Sequence, residues 1–236
     1  MNLKKQVLNN TGTETLEVIS QADRFNFWMY SKIKPNINGS ILEIGSGIGN
    51  ISKHLISDFS NVTLSDYKEE YVNILKNKFD CETHKLDIST NDIHDELINK
   101  FDTIVILNVL EHIENEARVL NNCKKLLKQN GTLIVLVPAY QKLYNSFDVE
   151  LEHIKRYNKS SLSKAIQAQQ LSINKIFYFN AVGILGWYIS GSILRKKLIP
   201  TNQMALYNRL IPFIKLIDIL FFQLIGLSVI AISKKI

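Results

Sequence analysis

Short apolar runs alternate with amphipathic segments along the first 137 residues. The runs are bounded by Gly, Pro, Asn or Asp, which predicts buried strands, whereas the segments between them place apolar residues at helical spacing. Predicted strands lie at 41–44, 61–66, 82–86, 101–108 and 133–137, and predicted helices at 14–34, up to residue 78 and at 114–128. Strands that alternate with helices in this way indicate an α/β fold with a parallel, doubly wound sheet.

The pattern changes after Pro138. Residues 138–158 form a predicted loop rich in Tyr, His and charged side chains, and long loops in compact domains usually carry function. The alternation then resumes with a helix at 159–170, a strand at 172–180 and a last strand at 227–233.

The segment between the last two predicted strands is apolar and basic. The stretch 210–232 is long enough to cross a bilayer, but Lys215, Asp218 and Gln223 interrupt it and Pro212 argues against one regular helix. A cap over the core, a dimer face and a helix lying in the plane of a membrane surface are the interpretations that remain.

Composition excludes several classes of protein. Hydrophobic residues make up 46% of the 236 residues and charged residues 21%, so the chain is neither disordered nor a small disulfide scaffold. Cys81 and Cys123 form no C-x-x-C pair, which excludes a cysteine zinc site and fits a reducing cytosol. No apolar stretch follows Met1, so we expect no secretory signal and a cytoplasmic protein.

Charge is distributed unevenly along the chain. Residues 1–150 carry 16 basic and 20 acidic side chains, whereas residues 151–236 carry 12 basic and 2 acidic ones. The second part is therefore expected to face nucleic acid, an anionic membrane surface or an anionic substrate, or to form a solvated basic surface.

A glycine-rich turn, Gly45-Ser46-Gly47-Ile48-Gly49, separates the strand at 41–44 from a helix. Glycine permits a tight turn and the close approach of a ligand, and the free N–H groups of the next helix attract an anionic group. Asp66 and Asp87 end the next two strands, where one carboxylate can accept ribose hydroxyls and the other an adenine amine. Together these features predict a ligand that contains a nucleoside.

The spacing G-x-G-x-G, with Glu43 two residues before the first glycine, resembles motif I of class I S-adenosylmethionine-dependent methyltransferases rather than the G-x-G-x-x-G of dinucleotide-binding proteins. Residues 101–113 and 126–133 resemble two further regions of small-molecule members of that family. The resemblance implies S-adenosyl-L-methionine as the cofactor and a seven-stranded Rossmann-like sheet of order 3-2-1-4-5-7-6 with strand 7 antiparallel. The implied cofactor-binding residues are Glu43, Gly45, Ser46, Gly47, Gly49, Asp66, Asp87, Ile88 and Asn108.

By this resemblance, residues 1–236 are a single methyltransferase domain. Residues 1–137 are the cofactor-binding half, and residues 138–236 are the acceptor half with an insertion at about 182–222. The stretches 25–30, 137–144 and 180–187 are also similar to a subgroup of uncharacterised bacterial methyltransferases, which brings no settled substrate. Glu152 stands where that subgroup leads us to expect glycine.

Methyl transfer needs the acceptor atom, the methyl group and the sulfur in line, and a base for the acceptor proton. His153 is the favoured base because Asp148, Arg156 and Tyr157 lie close to it in sequence, with a purely structural histidine as the alternative. The other catalytic candidates are Tyr157 and His112. The candidate substrate-binding residues are Tyr140, Tyr144, Asp148 and Arg156.

Two absences narrow the predicted acceptor. The stretch that begins at Asn108 lacks the Asn/Asp-Pro-Pro-Tyr motif of base-methylating enzymes, and no acidic set like that of catechol-type, magnesium-dependent enzymes is present, so we expect no metal. We predict base-assisted methylation of oxygen or nitrogen on a small or lipid-linked acceptor by a monomer or homodimer, either cytoplasmic or peripheral on the inner face of a membrane. The alternatives are a nucleic-acid methyltransferase, a non-catalytic cofactor-binding partner protein and a nicotinamide-dependent oxidoreductase.

Overall fold

The computed structural model describes residues 12–91, 93, 95–221 and 223–236. The N-terminal residues on which the expected absence of a secretory signal depends lie outside this part. The strands are β1 (Ile41–Ile44), β2 (Val62–Asp66), β3 (Thr83–Lys85), β4 (Phe101–Leu107), β5 (Leu127–Pro138), β6 (Leu171–Phe179) and β7 (Ser228–Lys235). The main helices are α1 (12–20), α2 (Asp23–Ile33), α3 (Ser52–Asp58), α4 (Glu69–Lys78), α5 (Glu116–Leu126), α6 (Ser146–Glu150), α7 (Lys159–Gln167), α8 (Gly183–Trp187) and α9 (Thr201–Leu220).

The seven strands found in the described residues form one sheet of order β3-β2-β1-β4-β5-β7-β6. The first five strands pair in parallel, and β7 runs antiparallel to both of its neighbours, β5 and β6. The predicted fold class and strand order are therefore confirmed. The order reverses beside β1, so β1 and β4 leave a crevice at their carboxyl ends, where open sheets of this type bind ligands.

Helices cover both faces of the sheet. One apolar cluster joins the sheet to α5 and α7 through residues such as Val119 and Leu162, and a second joins it to α2, α3, α4 and α9 through residues such as Trp28 and Ile214. The central strands β1, β2 and β5 are buried along nearly their whole length, as expected for strands covered on both sides.

Three local predictions were wrong. The predicted helix 14–34 is divided, because α1 ends at residue 20 and α2 begins at Asp23. The predicted helix 114–128 ends earlier, at Leu126, because Leu127 already pairs with Phe101 as the first residue of β5. Pro212 does not end a helix, since α9 continues through it while the neighbouring Ile211 packs into the core.

The part of the chain described contains no helix that is both long enough and apolar enough to cross a membrane. The segment from α8 to α9 instead starts with α8, continues as a π-helical turn over Tyr188–Ile193 and leads into the 20 residues of α9.

Candidate active site

The glycine-rich turn follows β1 and requires glycine at its key positions. The φ angles of Gly45, Gly47 and Gly49 are 73°, 56° and 84°, a region in which residues with a Cβ are strained. A Cβ on Gly45 would overlap Val109, and a Cβ on Gly49 would overlap the ring of Phe79. The backbone of this turn is therefore held in a shape that only glycine adopts without strain.

Asp66 connects this turn to the end of β2. Its Oδ2 accepts a hydrogen bond from the Gly47 N–H at 2.9 Å, and its Oδ1 accepts one from the Lys68 N–H at 3.0 Å. Burial raises the pKa of Asp66, while these backbone hydrogen bonds act in the opposite direction. A carboxylate offers about four acceptor positions, so both oxygens can accept further hydrogen bonds, and the binding of ribose hydroxyls stays a prediction.

Glu43 lies at the base of the same turn and is buried. Its carboxylate accepts a hydrogen bond from the Ser52 hydroxyl, and burial raises its pKa to about 7. Ser46 donates its backbone N–H to Ser65 O at 3.0 Å, and its hydroxyl lies 3.4 Å from Glu43 O. Glu43 and Ser46 therefore brace the turn from below.

The other predicted cofactor-binding residues lie at the ends of neighbouring strands. Asp87 is exposed and its Oδ1 accepts hydrogen bonds from the Ser89 N–H and hydroxyl at 2.9 and 2.6 Å. Ile88 is buried beside it, and Asn108 has a φ of 54° directly after β4. Because the carboxyl ends of parallel strands share one edge, these residues and the glycine turn line the same side of the sheet.

Helix α1 covers the glycine turn, a contact that the sequence did not indicate. Asn50 Nδ2 donates to Leu16 O at 3.0 Å, and a Cβ on Gly47 would lie 3.1 Å from the Leu16 side chain. The hydroxyls of Thr13 and Tyr71 lie 2.9 Å apart. The N-terminal segment thus forms one wall above the turn.

A second cluster is built by the loop between β5 and α7. This loop closes on itself, because Ala139 and Tyr157 form a parallel bridge and the Tyr140 N–H donates to Tyr157 O at 2.7 Å. A capping box starts α6, in which Asn145 and Asp148 bond to each other's backbone N–H groups. The capping box fixes the buried Asp148 carboxylate inside the loop.

Asp148 holds His153 and Arg156 at one oxygen. Its Oδ1 lies 2.7 Å from His153 Nδ1 and 2.8 Å from Arg156 Nε. Burial raises the pKa of Asp148, but the hydrogen bonds from His153 and Arg156 outweigh it and the net pKa lies below its usual value. An ionised Asp148 can only accept, so His153 Nδ1 carries a proton, and in the neutral imidazole Nε2 is then the acceptor.

The Nε2 atom of His153 faces Glu111, which the sequence did not single out as a site residue. The Ile154 N–H donates to Glu111 O at 2.8 Å, and this brings His153 Nε2 to 4.0 Å from Glu111 Oε1. Glu111 is fully buried, its two carboxyl oxygens have no hydrogen-bond partner among the residues that the structure describes, and burial raises its pKa to about 8. A signal for this residue existed in the Glu111-His112 pair directly after β4, but only the fold brings it to His153.

His112 completes the group, with its ring 4.8 Å from the ring of His153 in an edge-on arrangement. His112 is exposed at the surface on its outer side, and partial desolvation, followed by charge on His153, lowers its pKa. Glu111, His112 and His153 each bring one ligand-type atom within 4.8 Å of the others. The expectation that no metal is needed stays a prediction.

The remaining candidate residues of the acceptor half differ in the hydrogen bonds that their hydroxyl groups make. The Tyr157 hydroxyl donates to Glu116 Oε2 at 2.7 Å, and burial raises its pKa. Tyr144 donates its hydroxyl to His153 O at 2.7 Å, and Tyr140 stacks on Tyr178. Tyr144 therefore supports the histidine rather than presenting a free hydroxyl.

Arg156 is buried rather than a solvated surface arginine. Besides its bond to Asp148, Arg156 donates through Nη1 to Ala139 O at 3.0 Å, and its guanidinium lies 4.7 Å from the centre of the Trp187 ring. Glu152, where glycine was expected, has a φ of 59°, the left-handed region that favours glycine. The backbone at this position therefore has the left-handed conformation in which glycine is common, and that conformation is strained for Glu152.

Residues 42–133 match a family model described as a methyltransferase domain. Among curated proteins, the chain is 30% identical over 97 residues to a ubiquinone biosynthesis O-methyltransferase of Coxiella burnetii, covering 39% of this chain and 41% of that one. It is 31% identical over 147 residues to a Dictyostelium discoideum protein named "Probable polyketide synthase 42", covering 49% of this chain and 5% of that one. The chain thus spans about two fifths of the first relative and a small fraction of the second.

Solved structures show the same fold at low sequence identity. An S-adenosylmethionine-dependent methyltransferase of Thermotoga maritima superposes with a TM-score of 0.63 at 15% identity, covering 92% of each chain. One from Archaeoglobus fulgidus gives a TM-score of 0.59 at 19% identity, covering 89% of this chain and 94% of that one. Phosphoethanolamine N-methyltransferase 2 of Haemonchus contortus, solved with S-adenosyl-L-methionine, gives 0.58 at 16% identity, covering 89% of this chain and 52% of that one.

Proposed function

We propose that this chain is a class I S-adenosylmethionine-dependent methyltransferase, which its matched domain and its sheet order support, and that it methylates oxygen or nitrogen on a small or lipid-linked acceptor. The observation that carries the proposal is the pairing of the glycine turn with Asp66 at the same sheet edge as the Glu111–His153 cluster. A cofactor held at the turn would face the ends of β1 and β4, where the cluster begins.

The cofactor is S-adenosyl-L-methionine, which supplies an electrophilic methyl group on a sulfonium. In our proposal the ribose hydroxyls bind Asp66 and the adenine amine binds Asp87, while the glycine turn, with Glu43 and Ser46 beneath it, packs against the methionyl part. Ile88 and Asn108 border the site from the neighbouring strand ends. Helix α1 covers the turn and excludes water from this side.

His153 acts as the base in this proposal. Asp148 holds its Nδ1 proton, so Nε2 is free to take the proton of a hydroxyl or of a protonated amine. Arg156 keeps Asp148 ionised, and this keeps the imidazole in the tautomer that accepts at Nε2. The side chain of His153 is only 8% exposed, so an acceptor bound beside it is shielded from bulk water. His112 packs against the His153 ring, and the Tyr144 hydroxyl donates to the backbone carbonyl of His153.

A small-molecule acceptor is supported by the curated relatives, two of which are named for ubiquinone biosynthesis and for polyketide synthesis. A lipid-linked acceptor is further supported by the basic and apolar C-terminal part, with 12 basic and 2 acidic residues in 151–236. We therefore propose a cytoplasmic protein that works at the inner face of a membrane.

The test is transfer of labelled methyl from S-adenosyl-L-methionine into an extract of the source organism, followed by partition into organic and aqueous phases. We expect label in the organic phase, and no loss of it with EDTA. Label confined to the aqueous phase would leave methyl transfer standing and remove the lipid-linked acceptor. Label in RNA or DNA would favour the nucleic-acid alternative, and cofactor binding without any transfer would favour the non-catalytic one.

EDTA-sensitive transfer that Mn²⁺ restores would contradict the role of His153 as a base, because the cation would then occupy Nε2. A direct titration with NADH separates the proposal from the oxidoreductase alternative, since we expect binding of S-adenosyl-L-methionine and none of NADH.

A further inference from the structure

Large apolar side chains are exposed along one continuous segment, α8 through α9, which we call the apolar cap (183–220). Leu185, Phe213 and Leu220 are 64%, 67% and 73% exposed. Further members exposed by more than a third are Tyr188, Ile189, Ile193, Leu194, Leu198, Leu206, Leu210, Leu216, Ile217 and Ile219. Single exposed apolar residues are ordinary on a protein surface, but a set of this size in one segment marks an interaction surface.

The inner side of the apolar cap packs on the loop that carries His153. Trp187 Nε1 donates to Leu143 O at 3.2 Å, and Asn145 Nδ2 donates to Trp187 O at 3.3 Å. The Trp187 ring also contacts Phe147, with 4.9 Å between ring centres. Whatever covers the outer side of the cap is therefore separated from the candidate acceptor site by one layer of protein.

The apolar cap is held together and held to the core. Ser190 Oγ donates to Gln203 Oε1 at 3.0 Å, which joins the π-helical turn to the start of α9. Asp218 is buried and accepts the Ala181 N–H at 2.9 Å, while Ile211 and Ile214 pack into the core. The exposed side chains are thus presented by an anchored surface.

Charge identifies what this surface fits. The apolar cap contains five basic residues, Arg195, Lys196, Lys197, Arg209 and Lys215, and its one acidic residue, Asp218, is buried. A symmetric dimer through the apolar cap would bring two such basic surfaces together, and like charges at an interface oppose association. An anionic bilayer surface complements both features, since it attracts the basic side chains and accepts the apolar ones below the headgroups.

We propose that the apolar cap docks on an anionic lipid bilayer and places the His153 loop next to the membrane, where a lipid-held acceptor reaches it. This statement rests on the proposed function, which already includes work at the inner face of a membrane, and it adds the surface through which the protein docks there. Apolar side chains such as Leu185 and Phe213 enter the boundary between headgroups and acyl chains, and the flanking Arg and Lys side chains contact the headgroups.

The experiment is co-sedimentation of the full chain with phosphatidylcholine vesicles, with and without equal parts of phosphatidylglycerol. We expect binding to the anionic vesicles, weakened by salt. The triple variant Leu185→Ser, Phe213→Ser, Leu220→Ser should lose this binding, because each side chain that no longer inserts into the bilayer should lower the affinity about tenfold. The matched control Ile98→Ser, Ile236→Ser changes exposed apolar residues outside the cap and should bind as the unchanged chain does.

The charge contribution is tested separately. Arg195→Gln and Arg209→Gln should each weaken binding to anionic vesicles about fivefold, whereas Lys76→Gln on α4 should leave it unchanged. Equal binding to neutral and anionic vesicles, or no binding, overturns the proposal, as does a dimer in solution that the triple variant converts to a monomer. The same variants should bind S-adenosyl-L-methionine with the affinity of the unchanged chain. If the unchanged chain does not bind S-adenosyl-L-methionine, that result overturns the proposed function instead.

Discussion

Asp148 Oδ1 lies 2.7 Å from His153 Nδ1, and this contact directs the opposite ring nitrogen of His153 toward the buried Glu111 carboxyl. The histidine is thereby fixed in one orientation and one tautomer. A histidine held in this way can act as a base, whereas a purely structural histidine cannot, and the rate of methyl transfer distinguishes the two roles.

Replacing His153→Gln should lower methyl transfer about 10²- to 10⁴-fold, because a positioned general base contributes about that much. Affinity for S-adenosyl-L-methionine should stay the same, since the glycine turn is untouched. The assay is transfer of labelled methyl, with cofactor binding measured by calorimetry. His84→Gln, which changes a histidine in β3, is the control and should be fully active. Full activity of His153→Gln would show that the ring is structural.

Replacing Asp148→Asn should lower the free energy of unfolding by about 3 to 5 kcal/mol, because it leaves the buried Arg156 guanidinium without its charged partner. The control is Asp23→Asn, since Asp23 pairs with Lys53 at the surface and should contribute less than about 1 kcal/mol. Urea unfolding of both variants gives the comparison. Equal, small losses would mean that the Asp148–Arg156 pair is solvated in solution.

Replacing Gly45→Ala should destabilise the protein and weaken cofactor binding. The left-handed φ alone costs about 1 to 2 kcal/mol, and the new methyl group would also displace Val109. The new methyl group of Gly186→Ala in α8 would meet no atom of the described residues within 4 Å, and this variant should stabilise the protein by up to about 1 kcal/mol through helix propensity. Thermal unfolding and cofactor titration of the two variants test this, and similar behaviour of both would be inconsistent with the described turn.

The stability of the protein should depend on pH through Glu43. Burial raises the pKa of Glu43 from 4.5 to about 7, so the folded state favours the protonated carboxyl. This contribution is fully present below pH 4.5 and is lost as the pH rises through 7. Glu43→Gln removes this titrating group. As the pH rises from 4.5 to 7, the free energy of unfolding of the variant should therefore increase by about 3 kcal/mol relative to that of the unchanged chain.

Urea unfolding at a series of pH values measures the gain, with the exposed Glu70→Gln as the control that should show none. A difference between Glu43→Gln and the unchanged chain that stays constant with pH would mean that Glu43 is ionised at its ordinary pKa.

The sequence predicted the parts of the site that depend on local pattern. The glycine turn, Asp66 and Asp87 are read directly from strand ends, and the sheet order followed from the family resemblance that these residues carry. Asp148, His153 and Arg156 lie within nine positions of one another, so their association was also predictable.

The sequence did not predict contacts that join distant segments. Glu111 lies 42 positions before His153, and contacts made by the fold, such as the hydrogen bond from Ile154 N–H to Glu111 O, bring the two together. The covering of the turn by Leu16 depends on where α1 ends, and no cap residue in the sequence marks that end. The end of α5 at Leu126 was missed because pairing of Leu127 with Phe101 outweighs the helical pattern.

The position of β7 has a consequence for how the protein is made. β7 is the last strand in the chain, yet it lies between β5 and β6 in the sheet. During synthesis, β5 therefore presents an unpaired edge, and β6 has no neighbour, until residues 228–235 leave the ribosome. Unpaired strand edges in nascent chains are prone to aggregate. A nascent chain that is cut short before residue 228 would therefore expose these strand edges, and we expect it to need a chaperone to prevent aggregation.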